Sequence, residues 1–410
     1  MCARATLLEG ASSRGVAESS PIEEPIKLGV VGLGSRAVHN VVGRVIDYDD
    51  YRLVAICDRR GNLVERVKAD LARERDVTVR GYTDYSEMLG AEGLDAVAVQ
   101  IDADKQASLI CEGLQAGCHV MAEVPLAYSI DDCRRIARAV EETGKTFLLM
   151  EQTRFWGFIR AWREIVQTGV IGRPLFVEGE YIGYYPGIFL QDDAGCFYTP
   201  EQVREAPEAK PTWRALNHPI TYLPHELSPL LYVLEDRVER VVAMSTRPQG
   251  YRHPEIPIAD IQVALMHTAR DAVMKLAVGF TTPVVHRGET THHWYHIKGT
   301  EGVLEWSRTD SDAPKLWVHG WQMPEPIAMP WGMERVDAPA LARGSGHGGA
   351  DFYVFAQFAD AILRGVPPEL DIYKAIDTAA PAILAAKSID EGNTPQDVPD
   401  FRPAGNQELA

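Results

Sequence analysis

Gly32-Leu33-Gly34-Ser35-Arg36-Ala37 reads G-x-G-x-x-A directly between a β-branched run and a stretch of helical period. A turn of that composition constrains the fold around it. The first glycine allows the tight turn, the second lets the backbone approach a pyrophosphate, and the small third residue permits close helix packing. Around it, short strand-like runs alternate with helical ones from Ile26 to about residue 150, the spacing that builds a parallel sheet covered on both faces. The strand candidates are 27–32, 52–57, a weak one at 77–80, 95–100, 119–123 and 146–150. Ala37, Val38, Val41, Val42, Val45 and Ile46 give the first helix one apolar face. Ser129, with Asp132 three residues on, opens another helix, and Gly144 closes it.

The pattern then changes. A helix from about Phe158 to Thr168 ends at Gly169. The long segments that follow are strand-like: 174–184, 238–245, 258–266, 272–280, 294–298 and 303–306. Strands in succession after βα units imply an α+β domain with an open, mainly antiparallel sheet. Residues 186–215 form a long excursion rich in Pro, Gly and aromatics, and two helices near 350–365 and 371–390 finish the chain. The fold class is therefore α/β, an N-terminal Rossmann domain followed by an α+β domain. The expected division is a tail at 1–25, a dinucleotide-binding domain at 26–150, a substrate and oligomerisation domain at 151–370, and a closing helix and tail at 371–410.

Composition narrows the partners. The net charge of −17 argues against nucleic acid and anionic membranes. No apolar run reaches the roughly 20 residues of a membrane helix, and residues 1–25 lack an export signal, so the tail reads as solvated. Six cysteines without C-x-x-C spacing fit free thiols in a reducing compartment, which points to the cytoplasm.

Asp58 ends the second strand about two dozen residues beyond the glycines, where a carboxylate can bind both ribose hydroxyls. The expected cofactor is NAD, because Asp58 would repel a 2′-phosphate; Arg59 and Arg60 weaken that preference without reversing it. Gly32, Gly34, Ser35, Arg36, Asp58, Arg59 and Glu123 form the expected cofactor site.

These motifs, with AGCHVMAEVP at 116–125, the Gly169–Pro174 turn, GTEGVLE at 299–305 and the closing helix pair, resemble the Gfo/Idh/MocA superfamily of sugar oxidoreductases over residues 26–390. Ordinary dehydrogenases of that superfamily carry Glu-Lys-Pro where this chain has Glu123-Val124-Pro125, and a valine cannot move a proton. They also place an Asp four residues before a His; here Thr221 takes the aspartate position before His225. Trp213-Arg214 followed by Tyr222-Leu223-Pro224-His225 resembles instead the NAD-dependent glycoside hydrolases typified by α-N-acetylgalactosaminidases, which share Glu-Val-Pro. GHGGADFYVF at 346–355 and DIYKA at 371–375 are similar to that branch as well. Those enzymes present a further tyrosine before the position of Gly299, and this chain aligns no clear equivalent.

The resemblance implies catalysis by transient oxidation. A ketone at the sugar C3 acidifies the C2 proton, the aglycone leaves C1, water adds, and C3 is reduced again, so hydrolysis proceeds with no net redox change. Such a site needs a hydroxyl base and a C–H base and dispenses with the usual carboxylate pair of glycosidases. His225 is assigned to the C3 hydroxyl proton and Tyr222 to the C2 proton, with exchange of the two roles left open, and Glu123 to orienting the nicotinamide ribose or the sugar. Tyr222 and His225 share a face if their segment is helical, which Pro224 and Pro229 put in question.

Arg154, Trp156, Trp213, Arg214 and Tyr184 are the expected substrate contacts. Arg154 and Trp156 follow the last strand of the first domain, where ligands collect, and Tyr184, with Tyr181 and Tyr185, offers a stacking wall. Each has a structural alternative in packing. His292, His293 and His296 do not amount to a metal site, since a strand points His293 away from the other two, and a pocket rim suits them better. No metal is expected. Asp192, Asp193 and Lys210 read as solvated. Arg154 and the histidines lean the substrate towards an anionic or modified hexoside, such as a sulfoquinovoside, ahead of an N-acetylhexosaminide. Two other readings compete: an NAD(P)-dependent sugar or inositol dehydrogenase, against which Val124 counts, and a non-catalytic binding protein, which would not need Tyr222 and His225. An exposed sheet face suggests a homo-oligomer.

Overall fold

In the computed structural model, residues 24–34, 36–192, 196–204, 208–282 and 292–403 are described. Strands β1 (Ile26–Val31), β2 (Tyr51–Cys57), β3 (Arg80–Tyr82), β4 (Ala96–Val99), β5 (His119–Ala122) and β6 (Phe147–Leu149) form one parallel sheet in the order β3-β2-β1-β4-β5-β6. The order reverses between β1 and β4, which opens a crevice at the carboxyl ends of the strands. Every residue of β4 is buried, as a strand covered on both faces requires.

Helix α1 begins as a π-helical turn, Ala37–Val42, and continues through Gly43–Val45. Helices α2 (Gly61–Arg75), α3 (Tyr85–Glu92), α4 (Ala103–Gln115) and α5 (Ile130–Thr143) cover the sheet. The ends of α5 follow from its sequence: Ser129 Oγ accepts from Asp132 N–H at 3.0 Å, and Gly144 adopts the left-handed conformation (φ 63°).

Helix α6 (Gly157–Gln167) leads into β7 (Pro174–Ile182). The 186–215 excursion holds three two-residue strands, β8 (Leu190–Gln191), β9 (Phe197–Tyr198) and β10 (Lys210–Pro211). A 3₁₀ turn at Pro219–Tyr222 then passes through Leu223 into α7 (Pro224–Leu234), so both prolines are accommodated and the segment is helical. Strands β11 (Val238–Ser245), β12 (Gln262–Thr268), β13 (Val273–Gly279), β14 (His293–Gly299), β15 (Gly302–Glu305), β16 (Lys315–Val318), β17 (Ile327–Ala328) and β18 (Gln396–Asp397) join β7 in a nine-stranded sheet, with β14 and β13 flanking β7. Its pairings are antiparallel except β7 with β13. The second sheet is thus mixed. Strands β16, β17 and β18 escape the sequence pattern because they are short and gain their hydrogen bonds only from strands already assembled.

Helices α8 (Ala340–Arg343), α9 (Ala350–Leu363) and α10 (Ile372–Asp390) complete the chain. Helix α10 serves both sheets: Ile372, Ala375, Ile376 and Ala379 pack with the first-domain cluster around β4 and β5, whereas Ala382, Leu384 and Ala385 pack in the cluster that contains β7 and α7. Within the described residues Cys57, Cys111, Cys118, Cys133 and Cys196 are free thiols. No helix there is long and apolar enough to cross a membrane.

Candidate active site

The crevice begins at the glycine turn. Gly32 has φ +93°, and a Cβ on it would overlap the Gln100 carbonyl, whereas a Cβ on Gly34 would meet nothing within 4 Å. The first glycine serves the turn; the second leaves open space where a pyrophosphate would lie. Asp58 is buried at the end of β2, where its Oδ2 accepts from Leu33 N–H and its Oδ1 from Arg60 N–H, both at 2.9 Å. Arg60 Nε also lies 3.2 Å from Oδ1. The carboxylate is therefore fixed against the glycine turn, as ribose binding requires, and Arg60 partners it while Arg59 stands exposed. Ser35 lies outside the described residues. These features fit a dinucleotide.

At the inner end, Arg36 Nε donates to Glu123 Oε2 at 2.7 Å. Burial works against the Arg36 charge, but Glu123 outweighs it and the guanidinium stays protonated. Gln106, from α4, holds the turn after Glu123 by donating to the carbonyls of Glu123 (2.6 Å) and Pro125 (3.0 Å). Val124 is buried there and brings no charge.

Tyr222 and His225 come together as the helical spacing requires, with ring centroids 6.3 Å apart and planes within 23°. Trp213 stacks beyond Tyr222 at 6.2 Å. Arg214 lies over the Trp213 ring and donates through Nε to the Tyr222 hydroxyl oxygen at 3.0 Å. Burial raises the Tyr222 phenol above its ordinary value, and the Arg214 charge offsets only part of that rise.

Glu151, just beyond β6 and fully buried, supports His225. Its Oε1 lies 3.1 Å from His225 Nδ1 and accepts from Thr153 N–H at 2.9 Å, with the Thr153 hydroxyl at 2.7 Å. Burial alone would push this carboxyl up; the donors from His225 and Thr153 prevail and hold it below the usual range. An ionised Glu151 accepts a hydrogen bond from His225 Nδ1–H, which leaves Nε2 as an acceptor. The Tyr295 hydroxyl reaches the His225 carbonyl at 3.1 Å and steadies the backbone there, the one Thr153 hydroxyl proton being committed to Glu151.

A second carboxylate–imidazole pair stands beside the first. His293 Nδ1 lies 2.6 Å from Oε1 of the buried Glu226. Its ring stacks on Tyr181 at 4.1 Å and sits 6.1 Å from that of His225. Burial drives both members neutral: the Glu226 carboxyl rises well above its usual range, and His293 falls to about 3. Across the loop before α9, His347 Nδ1 lies 2.7 Å from Asp351 Oδ1.

The other expected contacts divide. Trp213 and Arg214 join the cluster. Trp156 lies behind it, edge-on to His293 at 5.3 Å, with its Nε1–H donated to the His347 carbonyl. Arg154 is not brought in: it is buried with its guanidinium 4.8 Å from the Tyr232 ring centroid. Tyr184 is also elsewhere, its hydroxyl 2.8 Å from His253 Nε2, and Tyr181 supplies the ring that meets both His225 and His293. His296 turns to the opposite sheet face and pairs with Glu178. Among the described residues, no three His, Cys, Asp or Glu side chains gather to hold a metal. Of the expected solvated residues, Asp192 instead accepts from Tyr198 OH and Cys196 N–H, and Asp193 lies outside the described residues. Sequence reasoning missed Glu151, Glu226 and the partnership of His293, although Glu151 stands at a strand's carboxyl end, where ligand-binding residues collect.

Residues 26–151 match the oxidoreductase family with an NAD-binding Rossmann fold, Gfo/Idh/MocA, and residues 164–406 match the C-terminal domain of glycosyl hydrolase 109. The chain is 26% identical to glycosyl hydrolase family 109 protein 2 of Akkermansia muciniphila, over 92% of this chain and 83% of that one. It is 23% identical to an alpha-N-acetylgalactosaminidase of Shewanella oneidensis, over 93% and 86%. An oxidoreductase from Agrobacterium radiobacter, solved with NAD+, L-tartaric acid and magnesium, superimposes with a TM-score of 0.70 at 18% identity, covering 92% of this chain and 99% of the other. Scyllo-inositol dehydrogenase from Lactobacillus casei, solved with NAD(H) and scyllo-inositol, gives 0.67 at 18%, with the same coverage. With an NAD-binding Rossmann domain in front and the family's own C-terminal domain over more than half its length, the chain belongs to glycosyl hydrolase family 109.

Proposed function

We propose that this protein is an NAD-dependent glycoside hydrolase that cleaves a hexoside by C3 oxidation, elimination across C1–C2, water addition and C3 reduction. The carrying observation is the pair of facing rings, Tyr222 and His225, each with its own charged partner, in a crevice where Val124 brings no ammonium group. NAD, held by Gly32, Gly34, Arg36, Asp58 and Glu123, supplies a reversible hydride acceptor at C3. His225 Nε2 takes the C3 hydroxyl proton, and Glu151 stabilises the imidazolium that results. Tyr222 takes the C2 proton, and Arg214 steadies the phenolate. The aglycone then leaves C1, water gives its hydroxyl to C1 of the enone and its proton to the aglycone oxygen, Tyr222 returns its proton to C2, and His225 returns its proton to the C3 oxygen as the hydride returns to C3.

The substrate we favour is an N-acetylhexosaminide. An anionic hexoside loses its main support with Arg154 packed on Tyr232, and a relative of this chain bears the name alpha-N-acetylgalactosaminidase. We place the reaction in the cytoplasm, in keeping with the free thiols. We also propose a homo-oligomer, because Met244, Leu265 and Val273 stand exposed on one face of β11, β12 and β13.

The test is incubation with nitrophenyl glycosides and trace NAD in heavy water. Aglycone release with deuterium at C2 and no accumulating NADH is the expected result. Stoichiometric NADH with intact glycosides would make the protein a sugar dehydrogenase instead.

A further inference from the structure

Two imidazoles line the crevice in the same manner. Each turns Nδ1 to a fully buried carboxyl group, each side chain is only slightly exposed (12% for His225 and 15% for His293), and their ring centroids are 6.1 Å apart. Neither Nε2 takes a hydrogen bond among the described residues. Only the carboxyl partners differ. On Glu151, three donors converge on one oxygen. Glu226 has one short contact, at 2.6 Å. Its Oε2 is buried, and the one other donor near it among the described residues, the Tyr295 hydroxyl, is divided between Glu226 and the His225 carbonyl. Gly179 on β7 leaves Glu226 its space, since a Cβ there would stand 3.3 Å from Oε2.

We propose that the Glu226–His293 pair is a neutral hydrogen-bond donor, presented through His293 Nε2–H to the C3 oxygen of the sugar, opposite the accepting Nε2 of His225. A buried pair with so few donors carries no net charge at lowest cost, so it holds one proton in the Glu226–Nδ1 link and a second on Nε2. The Glu226 O–H donates to Nδ1, and Nε2 keeps its hydrogen as a donor. The inference rests on the hydrolase reading and adds a residue to it. When the C2–H bond breaks, its proton goes to Tyr222 and its electron pair moves onto the C3 carbonyl oxygen. Negative charge develops on that oxygen, and His293 Nε2–H steadies it until the pair returns to expel the aglycone from C1. A neutral imidazole between Tyr181 and Trp156 is already oriented for this, which is what makes such donors effective.

The test has two parts. In protein labelled with ¹⁵N-histidine, His293 signals, identified by their loss in His293→Leu, should show a bare Nδ1 and a protonated Nε2; a bare Nε2 overturns the proposal without reference to activity. In heavy water, His293→Leu should slow C2 deuterium exchange by about 10²-fold, whereas His293→Gln, which keeps a neutral donor, should stay within about tenfold of the parent, with NAD affinity unchanged in both. Exchange in His293→Leu equal to the parent's overturns the donor role and leaves the hydrolase standing. Absence of exchange in the parent across the glycoside panel overturns the hydrolase reading, and this proposal with it.

Discussion

His225 Nδ1 stands 3.1 Å from Glu151 Oε1, a carboxylate with no exposed surface that comes from the other domain's last strand end, 74 residues earlier. That pairing selects the tautomer of His225 that carries its proton on Nδ1. Glu151→Gln keeps the shape and removes the charge. We expect kcat to fall by about 10²- to 10⁴-fold with KM little changed, the range that general-base function supplies. Steady-state hydrolysis of a nitrophenyl glycoside checks it, and a loss confined to KM would remove Glu151 from the base.

Tyr222 is raised above the ordinary phenol value of about 10, with burial exceeding the help from Arg214. Its phenolate fraction therefore grows throughout the neutral and mildly alkaline range. C2 exchange should climb with pH towards a tenfold gain per unit, without a plateau below about pH 9. A rate independent of pH above neutrality would assign the C2 proton to another group.

Asp58 holds Arg60 by both a backbone hydrogen bond and an ion pair. Asp58→Ala should weaken NAD at least about tenfold, the loss of one charged hydrogen-bonding partner, and should improve NADP relative to NAD because Arg60 is released for a 2′-phosphate. Titration of both nucleotides by calorimetry decides it. An unaltered NAD affinity would mean that the ribose lies elsewhere.

The two glycines of the turn should fail differently. Gly32→Ala meets the Gln100 carbonyl at a positive φ and should lower stability by about 1–3 kcal/mol. Gly34→Ala has open space and should melt like the parent, yet bind NAD poorly because its methyl group enters the pyrophosphate region. Thermal melts with and without NAD separate the two, and equal melting temperatures for both apo variants would contradict the turn geometry.

Glu226 and His293 act on stability with opposite pH dependence. Native Glu226 keeps a proton that the unfolded chain releases above its usual carboxyl range, so this site loses stability as pH rises through its raised native value. Native His293 stays neutral to about 3 while the unfolded residue protonates below about 6.5, so its site loses stability as pH falls across that window. Glu226→Gln should therefore gain on the parent as pH rises, and His293→Gln should gain as pH falls. Melting curves across pH that run parallel to the parent's would refute both assignments.

Much of the site was legible because it rests on local rules. The turn at Gly32, the strand-end Asp58 and the capped α5 are each specified within a few residues, and the three-residue spacing placed Tyr222 beside His225 once Pro219–Tyr222 proved helical. Arg154 and Tyr184 misled for the opposite reason. Both stand near the crevice in sequence, but whether such a side chain faces a ligand or a neighbour depends on Tyr232 and His253, which no local pattern announces.

The parallel sheet, the nucleotide turn and the two facing rings are legible in the order of residues, since backbone propensity and residue spacing act over short range. Only the assembled fold gives each imidazole its buried carboxyl partner. Glu151 and Glu226 are the same residue type, and their carboxyl groups shift in opposite directions because folding gathers three donors around one oxygen of the first and leaves the second, equally buried, with fewer.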